Sequence, residues 1–364
     1  MDARSRATRA RELAIHSRAI MTARDRARGV SCPTYDDDYV RASRELELCE
    51  GRETMSARAT LEASSRVLER CPAHYTAWRA RMKAYERLAN ECRDDVERFE
   101  ANARAMADVE EASVKNGKNY QVWNHARAAC ERLASRSANG DDVKARAFAI
   151  ARHAIERDGK NIHAWQHAAW CAERFGMYEE ERAAARDALE CDFWMNNSAM
   201  NAMLRANEAI FVKLSSKDMA KAFEEECAKV REVVFAHRAA ASENESAWNY
   251  ARGLKDLARA IASDDVWEFV ARNIRELAED VLSGENTRGK HSDRYAAAYV
   301  ADAYAEASLA PDAAPSSFDV AMDWYSQLKM LDPVRVNYYN TKMSRLRRAR
   351  EHLRDARRSL ARSE

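Results

Sequence analysis

Five short segments of the chain repeat one arrangement of polar and apolar positions. Each segment ends in a large residue, which we call its anchor: His74–Trp78, Asn119–Trp123, Asn161–Trp165, Asn196–Met200 and Asn244–Trp248. The residue before each anchor is small or β-branched, and the residue ten positions after it is apolar. Successive anchors lie 45, 42, 35 and 48 positions apart. Repeats of this length are typical of paired helices that stack on their neighbours, as armadillo and HEAT units do.

Both halves of each repeat are predicted to be helical. In four of the five segments an Asn stands four positions before the anchor, where its side chain can cap the free N–H groups of a starting helix. Before one such cap, Val143, Ala147, Ile150 and Ala154 follow a helical spacing. The pattern therefore predicts an all-α fold. We expect a right-handed superhelix, or solenoid, of antiparallel helical hairpins that stack as TPR and HEAT repeats do.

Composition agrees with a fold made of helices. The 364 residues include only 9 Gly and 5 Pro, about a third of the average usage of roughly 12%. Sheets and tight turns need these residues, so a Rossmann or P-loop enzyme is disfavoured. We interpret residues 135–141, 283–291 and 310–317 as loops within a single solenoid domain spanning residues 31–364. Residues 1–30 are interpreted as a basic arm that is helical or partly disordered.

Positive charge is concentrated at the two ends of the chain, although the formal net charge is only +1. Residues 1–30 carry eight Arg against three acids, and residues 341–364 carry nine Lys and Arg against three acids. Such ends could bind an acidic partner or a membrane surface, but solvated helical ends are the more common explanation. No stripe of basic and aromatic residues accompanies the charge, so nucleic-acid binding is not expected.

The cysteines indicate a reducing compartment. All eight lie at least seventeen residues apart and form no CxxC pair. No run of eighteen apolar residues is present, so a transmembrane segment is not expected. The sequence therefore predicts a cytoplasmic location. An organelle transit peptide is the alternative for the Arg- and Ser-bearing N-terminus, although three acidic residues there argue against it.

Three of the repeat segments resemble a known family. Residues 119–123 (Asn-Tyr-Gln-Val-Trp), 160–167 (Lys-Asn-Ile-His-Ala-Trp-Gln-His) and 244–250 (Asn-Glu-Ser-Ala-Trp-Asn-Tyr) are similar to repeats of protein prenyltransferase α subunits. They are closest to the α subunit shared by protein farnesyltransferase and type I geranylgeranyltransferase. The similarity spans about residues 32 to 345.

The resemblance implies a heterodimer in which a crescent of hairpins wraps around a β subunit. The heterodimer would transfer a farnesyl or geranylgeranyl group from its diphosphate to the cysteine thiol of a C-terminal CaaX peptide. It implies that zinc is held by the β subunit and that magnesium accompanies the diphosphate. This chain is expected to bind no cofactor. His163 and His167 lie four residues apart, but no third metal ligand is apparent beside them.

Two residues are expected to act on the leaving group. As the bond from the prenyl carbon to oxygen breaks, negative charge grows on the diphosphate, and fixed cations stabilise it. The resemblance assigns this role to Lys118 and His163. Without the resemblance, Lys118 would be interpreted as a solvated turn lysine and His163 as a histidine at a helix N-terminus.

Four further residues take expected roles from the resemblance. Tyr120 is expected near the reacting groups, and Gln121 is expected to bind the C-terminal carboxylate of the peptide. Asn161 is expected near the diphosphate, although helix capping alone would explain it. Tyr75 stands in the equivalent tyrosine position one repeat earlier, where a peptide-channel role and a packing role are both open.

The chain also departs from the family pattern. The usual Arg three residues after the anchor is present as Arg81, but Ala126 and Ala168 replace it in the next two repeats. Ile162 stands where Tyr is usual, and Met200 replaces the fourth anchoring Trp. A non-catalytic helical-repeat scaffold and the α subunit of the Rab-specific enzyme therefore stay open as alternatives. The choice between farnesyl and geranylgeranyl groups depends on the partner chain.

Overall fold

A computed structural model describes residues 36–50, 56–134, 140–191, 195–236, 244–283, 294–310 and 313–360. The described residues form fifteen α-helices and one short 3₁₀ helix, with no strand among them. The predicted all-α fold is confirmed. The arm predicted at residues 1–30 lies outside the described residues, as do residues 135–139 and 284–291 of the first two predicted loops. The third loop, predicted at residues 310–317, is shorter than expected, because a helix already begins at Pro315, a residue type that suits the first helical position.

Contacts between residues divide the chain into two compact units, with the boundary between Ala107 and Asp108. The single domain expected over residues 31–364 stays a prediction. The first unit contains three whole helices and the start of a fourth: α1 (Asp37–Glu50), α2 (Ala57–Arg70), α3 (Tyr75–Glu91) and α4 (Asp95–Asn116). A buried apolar cluster joins α1, α2 and α3. Arg81 adds a polar link, since its guanidinium donates to the Ser65 hydroxyl at 2.8 Å and so ties α3 to α2.

The second unit contains the end of α4 and eleven further helices. They are α5 (Tyr120–Ala134), α6 (Gly140–Arg157), α7 (Ile162–Phe175), α8 (Tyr178–Cys191), α9 (Asn197–Phe211), α10 (Ser216–Ala236), α11 (Glu245–Ile261), α12 (Asp264–Ser283), α13 (Arg294–Ala307), α14 (Pro315–Leu331) and α15 (Val336–Leu360). The 3₁₀ helix Pro333–Arg335 precedes α15.

Two layers of helices build the second unit. Helices α5, α7, α9, α11 and α13 form one layer, each packing on the next, while α6 and α8, and likewise α10 and α12, pack side by side in the other. Consecutive helices such as α6 and α7, or α8 and α9, also pack against each other. This arrangement is a stack of helical hairpins, as the repeat length predicts.

Polar caps set where the anchor-bearing helices begin. The Oδ1 atoms of Asn161, Asn196 and Asn244 each accept from the backbone N–H groups two and three positions further on. Asn119 Oδ1 accepts from the Gln121 N–H at 3.1 Å. In the first unit His74 takes this place, and its Nδ1 accepts from the Ala77 N–H at 3.1 Å. The predicted helix starts are therefore confirmed.

The anchors are buried, as predicted. All five are at most 5% exposed, and the small residue before each is at most 3% exposed. The predicted inner face of α6 is buried too, at Val143, Ala147, Ile150 and Ala154. None of the described helices combines the length and the apolar character needed to cross a membrane.

Candidate functional site

Two neighbouring repeats of the second unit are joined at their turns. The Gly117 carbonyl, in the turn before α5, accepts a hydrogen bond at 2.9 Å from Asn161 Nδ2, in the turn before α7. The same carbonyl accepts at 2.8 Å from the indole N–H of Trp123 in its own repeat. A Cβ on Gly117 would lie 2.7 Å from the Ser113 carbonyl oxygen, so only glycine leaves the turn in this position.

The same link recurs one repeat further along the chain. The Gly159 carbonyl accepts from Asn196 Nδ2 at 2.6 Å and from the indole N–H of Trp165 at 2.8 Å. Each Asn therefore caps its own helix and also binds the turn of the preceding repeat. These two contacts place the turns before α5, α7 and α9 in one row.

Lys118 lies in this row, beside the link from Gly117. Its ammonium forms an ion pair with the carboxylate of Asp158, in the turn before α7. The side chain of Lys118 is 74% exposed even so. The hydrogen bond from Lys118 lowers the pKa of Asp158 below its ordinary value, with smaller contributions from the Lys160 backbone N–H and the nearby ammonium charges. Asp158 therefore carries a negative charge and holds the ammonium next to the turn.

Sequence reasoning did not single out Asp158 or Lys160. A signal was present, because Gly-Lys-Asn occurs at residues 117–119 and again at residues 159–161. Lys160 is thus the repeat equivalent of Lys118, and it is also exposed. The turns before α5 and α7 therefore hold two lysines, Lys118 and Lys160, and the carboxylate of Asp158.

Tyr120 and His163 lie at the starts of the two helices that follow these turns. Tyr120 is the first residue of α5, and its side chain is 53% exposed. His163 is the second residue of α7 and is half-buried, while its backbone N–H donates to Asn161 Oδ1 at 3.1 Å. Helix N-termini carry a partial positive charge, so two of them stand side by side here.

Gln121 and Asn161 are both buried, but their amides differ. Asn161 is engaged at both ends, since Oδ1 caps α7 and Nδ2 binds Gly117. This gives Asn161 a structural role, and its contact with a substrate stays a prediction. The Nε2 of Gln121 has no hydrogen-bond partner among the described residues. An unpaired buried donor is costly, so an acceptor from outside the chain would stabilise it.

Tyr75 belongs to the first unit and is described there alone. It is the first residue of α3, the position that Tyr120 holds in α5. The side chain of Tyr75 is 62% exposed, so the packing role contributes little within that unit. Its contact with a peptide stays a prediction.

His167 is part of the core rather than of the turn row. Its ring is buried and lies 5.4 Å, centre to centre, from the rings of both Trp123 and Trp170. Burial lowers the pKa of His167 to about 3, with the nearby Arg127 charge adding to the shift, so the ring is neutral. Within the described ranges, no three His, Cys, Asp or Glu residues come together in a way that could hold a metal ion.

Arg127 partly compensates for the arginines that Ala126 and Ala168 replace. Arg81 joins the two helices of one hairpin, whereas Arg127 joins two neighbouring repeats. Ala126 and Ala168 are fully buried in the close packing of their helices. The neighbouring Arg127 donates to the Gln166 carbonyl at 2.9 Å and lies 5.9 Å from the Trp170 ring centre. It therefore links α5 to α7 by a hydrogen bond and a cation–π contact.

A row of exposed amides was also missed from the sequence. The residue after each of the last four anchors is an exposed amide: Asn124, Gln166, Asn201 and Asn249. The last three line a cavity of about 430 Å³, which is bordered by Ile162 and Met200 among others. The repeated position itself was the available signal, because it holds Asn or Gln in four successive repeats.

Two segments of the chain are similar to a known family of repeats. A sequence profile described as the protein prenyltransferase alpha subunit repeat matches residues 103–133 and 145–175, the pairs α4–α5 and α6–α7. No curated protein sequence matches the chain. The chain is similar to a solved, computationally designed self-assembling cyclic homo-oligomer at 15% identity, over 88% of this chain and 94% of that one, but the TM-score is only 0.15. What the comparisons support is thus limited to two segments of the chain, which match the repeat of the protein prenyltransferase alpha subunit family.

Proposed function

We propose that the chain is the α subunit of a heterodimeric CaaX protein prenyltransferase. With a β subunit it transfers a farnesyl or geranylgeranyl group from the prenyl diphosphate to a C-terminal cysteine thiol. The observation that carries the proposal is the junction between the two repeats that match the family profile. There the Asn161–Gly117 hydrogen bond and the Lys118–Asp158 ion pair join the turns that bear the predicted cation and histidine.

The junction suits an anionic leaving group. In the reaction the cysteine thiol loses its proton to solvent, and its sulfur bonds to the prenyl carbon as the carbon–oxygen bond breaks. The diphosphate leaves with the electron pair of that bond. Lys118 offers an exposed ammonium, and the starts of α5 and α7 add partial positive charge. These groups are fixed before the charge develops, so they stabilise the transition state more than the ground state.

Asp158 keeps Lys118 in place in the free chain. Because the carboxylate lies on the neighbouring repeat, the ion pair places the ammonium beside the junction. An arriving diphosphate shares this ammonium with Asp158. His163, at the start of α7, is the second donor in the proposal, and the exposed Tyr120 lies beside the reacting groups.

Gln121 is the residue proposed to bind the peptide carboxylate. Its buried Nε2 lacks a partner in the described part of the chain, and a carboxylate oxygen is the acceptor that would supply one. The atom is shielded from solvent, so the side chain must rotate toward the surface to make this contact. Asn161 supports the same place structurally by binding Gly117.

Metal chemistry is assigned to other components of the complex. In the proposal the β subunit would hold zinc, which would supply activation of the cysteine thiol, and magnesium would accompany the diphosphate. Among the described residues, no three His, Cys, Asp or Glu side chains come together in a way that could hold a metal ion. The proposal includes a cytoplasmic location, supported by the wide spacing of the eight cysteines, which form no CxxC pair.

Co-purification from the native cell tests the pairing. We expect a β subunit to be recovered in equal amount with this chain. The purified pair should prenylate a CaaX peptide and leave a matched peptide with Ser in place of the Cys unmodified. Recovery of a different stoichiometric partner, with no transfer, would support the scaffold alternative and contradict the proposal.

A further inference from the structure

The two partners of the Lys118–Asp158 ion pair differ in their freedom to move. Asp158 is fixed in its turn, since its backbone N–H donates to the Ala154 carbonyl at 3.0 Å and its carbonyl accepts from the Asn161 N–H at 2.9 Å. Its side chain is short. The ammonium of Lys118 ends a flexible four-carbon stem, and the Lys118 side chain is 74% exposed. The ammonium can therefore move to another anion while the carboxylate stays in place.

Another ion pair between helices of this unit is built differently. Arg146 on α6 donates to Glu110 on α4 through two parallel hydrogen bonds of 2.6 and 2.9 Å, which is a bidentate contact. Lys118 offers only one nitrogen to Asp158, and the Asp158 side chain is 36% exposed. Because exposed pairs with a single nitrogen contribute little to stability, separation of Lys118 from Asp158 costs the fold little.

Asp158 keeps a favourable contact when the ammonium leaves it. Its Oδ1 accepts from the Lys160 backbone N–H at 3.1 Å. The pKa of Asp158 is lowered chiefly by the hydrogen bond from Lys118, but this N–H and the charge of the Lys160 ammonium lower it further. The carboxylate therefore stays ionised without Lys118, and it repels any anion bound beside it.

We propose that Asp158 limits how tightly the junction binds diphosphate and so promotes release of this product. The inference rests on the proposed function. An arriving diphosphate takes Lys118 from the carboxylate, and the carboxylate takes the ammonium back when the product leaves. Asp158 acts through Lys118 and is a positioning residue. Two lysines and two helix starts would bind an anion more tightly without a carboxylate among them, but a tightly held product would block the next prenyl diphosphate.

Calorimetric titration of the heterodimer with inorganic diphosphate tests the proposal. Asp158→Asn removes the competing charge but keeps the size of the side chain. Two unit charges 4 Å apart in water contribute about fivefold to binding, and diphosphate carries more than one charge, so the variant should bind about tenfold more tightly. The KM for the prenyl diphosphate should fall as well. Loss of a merely structural residue would not strengthen binding.

Asp280→Asn provides the matched control. Asp280 on α12 pairs with Arg231 on α10 at 2.8 Å and is exposed, so this variant removes the same charge and also breaks an ion pair. It should bind inorganic diphosphate as tightly as the wild-type heterodimer does. Asp158→Glu keeps the carboxylate, so its affinity should lie closer to the wild-type value than that of Asp158→Asn. Circular dichroism should show that every variant is folded.

Two outcomes would overturn the proposal. The first is an equal affinity of the Asp158→Asn and Asp280→Asn heterodimers for inorganic diphosphate. The second is weaker binding by Asp158→Asn, which would show that Asp158 only helps Lys118 to bind the anion. Either outcome in a heterodimer that transfers prenyl groups would leave the proposed function intact. A heterodimer that transfers no prenyl group would contradict the proposed function itself.

Discussion

The repeats anchored by Trp165 and by Met200 have the same frame but different anchors. Each begins with an Asn that caps its own helix and also donates a hydrogen bond to the turn of the preceding repeat. Both anchors are at most 5% exposed. Trp165 also donates from its indole N–H to the Gly159 carbonyl at 2.8 Å. A thioether has no such donor. The cap and the small residue before the anchor therefore suffice to place the repeat.

What the anchor adds is rigidity and filled space. Met200 borders the cavity of about 430 Å³ between α7, α9 and α11. Methionine is flexible and lacks the flat, wide surface of an indole, so it fills such a place loosely. The comparison indicates that the tryptophan anchors stabilise the stack of repeats more than the methionine anchor does.

Removal of each anchor gives the largest expected difference. Trp165→Ala should lower the free energy of unfolding by about 3 to 5 kcal/mol, and Met200→Ala by about 2 kcal/mol, because the second site is already loosely packed. Urea unfolding followed by circular dichroism measures both. Equal losses at the two sites would contradict the comparison.

Loss of the link between repeats should have a smaller effect. Asn161→Ala removes a helix cap and the bond to Gly117, so we expect a loss of about 2 kcal/mol. Ser56→Ala is the matched control, since Ser56 caps α2 through its bond to the Ala59 N–H, and it should cost about 1 kcal/mol. Urea unfolding of the two variants should separate these values. An equal loss of free energy of unfolding in both would show that the Asn161–Gly117 bond does not stabilise the fold.

A tryptophan in place of Met200 tests whether the methionine is a weakened anchor. Met200→Trp should raise the free energy of unfolding by about 1 kcal/mol, because part of the bordering cavity becomes filled. Thermal unfolding measures this change. A loss of stability would show that the cavity cannot accept the ring and that Met200 is not a weakened anchor.

The smallest effect concerns the Lys118–Asp158 ion pair. The pKa of Asp158 is lowered in the folded chain, so the pair stabilises the fold above the ordinary aspartate pKa and is lost as the pH falls through the lowered value. Asp158→Asn should cost no more than about 1 kcal/mol near neutral pH. In urea unfolding at several pH values, the difference in stability from the wild-type chain should begin to narrow below about pH 4 and close as the pH falls through the lowered pKa. A gap that stays constant would contradict this role of the pair.

Local features of the fold could be predicted from the sequence, whereas contacts between repeats could not. The caps at Asn161 and Asn196 act on residues two and three positions away, so spacing alone predicts them. The second bond of Asn161, to Gly117, joins residues 44 positions apart. It depends on how hairpins stack, and that geometry is not contained in a periodic pattern.

The candidate site also combines residues that could be predicted from local motifs with one that could not. Lys118 and Gln121 could be singled out because they stand in motifs that resemble a family. Asp158 could not, because its ion pair with Lys118 crosses from one repeat to the next. Gln121 shows a second limit, since its buried Nε2 has no hydrogen-bond partner among the described residues, and a sequence pattern does not reveal such an unpaired donor.

Single-turnover prenyl transfer by the heterodimer tests the central claim most directly. Lys118→Ala should slow transfer by about 100- to 1000-fold, since it removes a donor to the developing negative charge, while assembly with the β subunit is unchanged. Lys217→Ala, at an exposed position on α10, should transfer at the wild-type rate. A Lys118→Ala rate equal to that of the Lys217→Ala control would contradict the account.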